Sequence, residues 1–100
     1  MMLLTKEIRA KLPPLYATED IEADKKVAVV KFFTPFSNWT WFACEFDGED
    51  TFFGYVVGLE NEWGYFSLSE LASVKGPMGC PGVERDKFFK PQPIPASALA

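Results

Sequence analysis

Between Val27 and Ser67 the chain repeats one pattern: a run of β-branched and aromatic residues, then a cluster of turn formers. The runs are VAVVKFFT (27–34), WTWFACEF (39–46), TFFGYVVGL (51–59) and GYFS (64–67), with PFSN, DGED and ENEWG marking the turns. Runs of this kind read as strands. Links this short leave no room for a crossover helix, so neighbouring strands run antiparallel. The Asp47-Gly48 step is a hairpin signal in its own right.

The flanks carry helices. TKEIRAKL (5–12) predicts a short one, with Thr5 as N-cap and Leu4, Ile8 and Leu12 at helical spacing. Pro13 and Pro14 end it, because neither can donate the next backbone bond. SLSE (67–70) matches a capping box and predicts a helix through about Val74. YATEDIEADKK reads as a charged loop, KGPMGCPG as a Gly/Pro loop, and VERDKFFKP as a last strand or extended edge. The expected fold is α+β: an antiparallel meander of four to five strands with one or two short helices packed on it. The 100 residues make a single domain, with a compact core over about 3–90 and a Pro-containing tail over 91–100.

Pairing the second and third strands across Gly48-Glu49 sets a register. Cys44 then faces Phe53, Phe42 faces Tyr55, and Phe46 faces Thr51. On the other side Trp41 faces Val56, Ala43 faces Gly54, and Trp39 covers Gly58. Large rings opposite strand glycines shield bare backbone. This register puts Phe42, Cys44, Phe46 and Phe53 on one buried face.

Composition narrows the chemistry. The chain is 48% hydrophobic and 16% aromatic, with a net charge of −4 and no histidine. Without histidine, Ser-His-Asp and Cys-His nucleophile systems are excluded. Two distant cysteines, Cys44 and Cys80, cannot make a four-ligand zinc site and read as reduced thiols. Cys44 falls on an apolar strand face and reads as core. No cofactor is expected. No apolar run has signal-peptide or membrane-spanning length, so the expected location is the cytoplasm.

All three tryptophans and seven carboxylates lie between Trp39 and Glu70, and no Lys or Arg occurs from Phe32 to Val74. That distribution speaks against nucleic acid, which demands clustered bases. It suits an aromatic hot spot with an acidic rim, made of Trp39, Trp41, Trp63, Tyr65, Glu60 and Glu62. Trp39 and Trp63 flank turns, so at least one is expected to stay partly exposed. The expected partner is a protein, either a second copy or a basic one. Direct nucleic-acid binding by stacking is a lesser reading. The rival class is an enzyme. Glu45, Asp47, Glu84 and Asp86, with Lys87, hold the residue types of a metal-dependent nuclease or phosphoryl-transfer site. Arg85, between two acids, is read as a structural ion pair that ties down the C-terminal segment.

The order of LPPLYATED (12–20), VVKFFTPFSNWTWFACEFD (29–47), FFGYVVGLENEWGYFSLSEL (52–71) and VERDKFFKP (83–91) resembles the small bacterial proteins catalogued as domain of unknown function 2958. The resemblance spans about residues 3–93 and implies an accessory protein of a mobile element. It brings no catalytic residues with it.

Overall fold

The computed structural model describes residues 2–99. Met1 and Ala100, at the ends of the expected domain, lie outside the described residues. The meander is present: β2 (Val30–Phe33), β3 (Thr40–Phe46), β4 (Thr51–Val57) and β5 (Asn61–Ser67) pair antiparallel in sequence order. The short β6 (Glu84–Arg85) adds to the outside of β2, giving the sheet order β5-β4-β3-β2-β6. The first run splits at Val29. Its first two residues form β1 (Val27–Ala28), which leaves the sheet to pair with β7 (Gln92–Pro93). The fourth strand is longer than GYFS. Asn61–Trp63, read as turn, pair with β4, and the actual turn is the short Gly58–Glu60, closed by Gly58 N–H donating to Glu60 O.

Helix α1 (Lys6–Lys11) starts where Thr5 Oγ1 accepts the Ile8 N–H, at 3.2 Å. Helix α2 (Leu68–Ser73) starts where Ser67 Oγ accepts the Glu70 N–H. The Glu70 carboxylate reaches back and accepts from the Ser67 hydroxyl, at 2.9 Å. Both helices cover one side of the sheet, here the helical face. There Leu4, Leu12 and Leu71 bury against Val30, Phe32, Ala43, Phe46, Phe52 and Phe66.

The opposite side holds Ala28, Phe42, Cys44 and Tyr55, and Ile94 closes over them. Ile94 is only 3% exposed. The compact core therefore extends beyond residue 90. The segment read as a tail supplies β7 and α3 (Ala96–Leu99), and Tyr55 Oη donates to Ala98 O at 2.9 Å. This second side is the tail face.

The register follows the sequence reading as far as Ala43↔Gly54 and then slips by one residue. Cys44 is the extra residue of a β-bulge. Glu45 therefore faces Phe53, and Phe46 faces Phe52 in place of Thr51. A one-residue slip turns the following side chains over. Phe46 leaves the face of Phe42 and Cys44 and stacks on Phe52 in the helical-face core, with ring centroids 4.6 Å apart. The four-residue face expected from an unbroken register is thus corrected. Its cause is tertiary: beyond the start of β2, the Phe46 N–H finds Pro13 O at 2.9 Å.

Candidate functional site

The six residues expected to form one surface divide between the two faces. Cross-strand partners share a face, so Trp41, Val56 and Glu62 lie on the helical face, and Phe42, Tyr55 and Trp63 on the tail face. Trp39 stacks on Trp41, with centroids 5.8 Å apart and planes at 27°. Its ring covers Gly58, as the register predicted, so closely that an added Cβ would overlap it. Trp39 keeps 37% of its surface exposed, but Trp41 packs on the core. This pair is spent mainly on covering backbone.

The tail face of β4 and β5 carries Trp63, half-buried against the Phe42–Tyr55 core, and the exposed Tyr65. Trp63 stacks on Phe53 at 5.9 Å and meets Tyr55 edge-on at 5.1 Å. Tyr65 meets Phe53 edge-on at 5.2 Å and is 57% exposed. Glu62 is exposed on the same strand, and Glu60 is exposed in the turn before it.

Beside Tyr65 lies an open cavity of about 330 Å³, lined by Tyr16, Glu19, Lys26, Glu45, Phe53 and Tyr65. The bulge explains its floor. Glu45 is 3% exposed. Its Oε1 accepts the Tyr16 N–H at 2.8 Å; its Oε2 accepts the Thr18 N–H at 3.0 Å and also the Thr18 hydroxyl. Lys26 Nζ donates to Thr18 O and to Thr18 Oγ1. This network holds Tyr16 at φ 73°, a left-handed conformation that is a genuine outlier for a bulky residue. Tyr16 thereby presents an exposed ring beside Tyr65. The neighbouring Tyr16 phenol, partial burial, and the Glu45 and Glu19 carboxylates push the Tyr65 phenol above its ordinary value. Sequence reasoning missed Tyr16. The only signal was a lone aromatic in a charged stretch without a period.

The four carboxylates of the enzyme reading do not converge. β6 is separated from β3 by β2, and Glu84 lies level with Thr40, since both pair with Phe33. Glu45 is five residues further along β3, a run of roughly 17 Å at the strand rise. Both Glu45 oxygens are committed to the loop. Asp47 sits in the hairpin turn, where its Oδ1 accepts the N–H groups of Glu49, Asp50 and Thr51 at 2.8, 2.8 and 3.1 Å. Those bonds hold its carboxyl below the usual range. Asp86 pairs with Lys31 at 3.7 Å and accepts the Phe88 N–H at 2.9 Å. Lys87 is exposed nearby and lines the same shallow cavity as Glu84 and Asp86. Among the described residues, no three acidic or thiol side chains are placed to hold a metal ion. Arg85 Nη1 donates to Met2 O at 2.5 Å, tying β6 to the N-terminal segment.

Cys44 is buried, and desolvation pushes its thiol up to about 12. Cys80 is exposed and donates to Pro77 O at 2.9 Å. Among the described residues, no helix is long and apolar enough to cross a membrane.

A family described as protein of unknown function (DUF2958) matches residues 3–98, and the chain belongs to that family. No curated protein and no solved structure matches it.

Proposed function

We propose that this family member is a non-enzymatic protein-binding module, a cytoplasmic accessory protein of a bacterial mobile element, and that its binding surface runs along β5. The observation that carries this reading is the outermost strand of the sheet. On the tail face it carries the exposed Tyr65 and the half-buried Trp63 against Phe53, with Tyr16 beside Tyr65; Glu62 lies on its other face and Glu60 in the turn before it. Aromatic anchors with an acidic rim are how a protein surface combines desolvated contact with steering of a basic partner. The Trp39–Trp41 stack is assigned to the fold. The mobile-element context comes from the sequence resemblance alone.

A photo-crosslinking residue placed at Tyr65, and separately at the exposed Phe88 beside β6, tests this in the native host. The expected result is a discrete protein adduct from position 65 and none from 88, weakened when Trp63 is replaced by Ala. Such a truncation removes about 2 kcal/mol or more of binding at an anchor. Equal adducts from both positions, or none from position 65, would refute the reading.

A further inference from the structure

β5 has an open edge, and its bond pattern says which backbone groups face outward. At one end of the β4–β5 ladder Leu68 N–H donates to Asp50 O; at the other Gly58 N–H donates to Glu60 O. Antiparallel bonds alternate along a strand. With the register between these ends, Glu62, Gly64 and Phe66 exchange bonds with β4, and Asn61, Trp63 and Tyr65 turn their N–H and C=O groups away from it, while the Ser67 C=O already serves the first turn of α2. Among the described residues, no other segment bonds to those outward groups.

Exposed edges are usually blunted by shortness, bulges, Lys or Pro. The opposite edge, β6, is two residues long. β5 is seven residues long, keeps one unbroken register, and contains neither Lys nor Pro. We infer that β5 takes an added strand: an extended segment of a partner protein in which Lys or Arg alternates with apolar residues. This rests on β5 being the binding surface and names the mode and chemistry of the partner.

The alternation follows from the two faces. Every second residue of an added strand would lie on the tail face, beside Trp63 and Tyr65. The residues between would lie on the helical face, beside Glu62 and next to Gly64, where an added Cβ meets nothing within 4 Å. The charge asks for bases there. Glu60 and Glu62 flank the edge, and no Lys or Arg occurs between Phe32 and Val74. Lys26, which lines the nearby cavity, engages its amine with Thr18. A second copy of the chain would bring its own Glu60 and Glu62 to this edge, so a basic strand is the better complement.

The test is amide hydrogen exchange on the isotope-labelled full chain, titrated with the peptide Lys-Val-Lys-Val-Lys-Val-Lys and, separately, with Glu-Val-Glu-Val-Glu-Val-Glu. The basic peptide should slow exchange at Trp63 and Tyr65 about tenfold, while Gly64 and Phe66, already bonded to β4, stay as they were. The effect should fade as salt is raised, and the acidic peptide should have none. Tyr65→Pro deletes an outward N–H and leaves the β4 ladder whole, so it should abolish the protection of Trp63 while Gly64 stays protected. Glu62→Gln, which leaves the backbone untouched, should weaken binding severalfold. Unchanged exchange at Trp63 and Tyr65 at about millimolar peptide overturns the inference, as does equal protection by both peptides. Protection without peptide that is lost on dilution assigns the edge to self-association and also overturns it. A host adduct from position 65 without peptide protection leaves the β5 surface standing and removes strand addition alone.

Discussion

Glu45→Gln isolates the contact on which the loop beside β5 depends. The substitution barely alters volume, but it exchanges two acceptor oxygens for one acceptor and one donor. In the native chain Oε1 serves the Tyr16 N–H, and Oε2 serves the Thr18 N–H and hydroxyl. Gln can keep one of these sides; at the other its amide N–H₂ opposes a backbone N–H. A hydrogen bond to a charged group is worth about 1.5–3 kcal/mol, and a stranded donor adds to the loss. Release of the left-handed Tyr16 backbone returns part of this, on the order of 1–3 kcal/mol. The net expectation is a loss of about 2 kcal/mol, which for a domain of this size lowers Tm by about 8–16 °C. Urea denaturation at neutral pH measures the loss. Hydrogen exchange at Tyr16 and Thr18 locates it, because both amides should lose protection while the β3–β4 ladder keeps its own. If Glu45→Gln lies within about 0.5 kcal/mol of wild type with both amides equally protected, the carboxylate does not hold the loop.

Phe52→Ala should cost about 3–5 kcal/mol in the same urea assay, since Phe52 is fully buried between Phe32, Phe46 and Phe66 with centroids at 5.5, 4.6 and 5.3 Å. Gly58→Ala drives a methyl into the Trp39 ring; it should cost about 1–3 kcal/mol and raise acrylamide quenching of Trp fluorescence, and unchanged quenching would count against the stack. Burial raises the Cys44 thiol from 9.0 to about 12, so the folded chain holds this proton more tightly than the unfolded one. Its contribution to stability is whole below the unfolded value and drains as pH climbs between 9.0 and about 12, at up to about 1.4 kcal/mol per pH unit. Denaturation series across that window should therefore fall more steeply for wild type than for Cys44→Ala. Iodoacetamide should label the exposed Cys80 well before Cys44.

Local chemistry made much of the fold legible. Thr5 and Ser67 cap helices because each places an oxygen within reach of an N–H three residues on, and a cap needs nothing from the rest of the chain. Asp47-Gly48 makes a hairpin turn because Gly48 adopts φ +90° and Asp47 satisfies the turn amides itself. From these turns and the spacing of aromatic runs came the meander, the register up to Ala43, and the seating of Trp39 over Gly58. Less was legible at the candidate site. Trp63, Tyr65, Glu60 and Glu62 could be named because they cluster in sequence, but of the three tryptophans expected on one surface, Trp39 and Trp41 lie on the face opposite Trp63.

The sequence alone determined the four runs of the meander, where α1 and α2 begin, and that no histidine-dependent chemistry is open to the chain. These are matters of backbone conformation and residue type, decided within a few positions. Tertiary structure alone decided the bulge at Cys44, the burial of Glu45 and the docking of Ile94. Each depends on a partner far along the chain: Pro13 O for the Phe46 amide, Tyr16 and Thr18 for Glu45, and Ala28, Phe42 and Tyr55 around Ile94. A period of two along a strand does not reveal that the carbonyl of Pro13, far earlier in the chain, will claim the Phe46 amide and that the Phe46 ring will turn over to the other face.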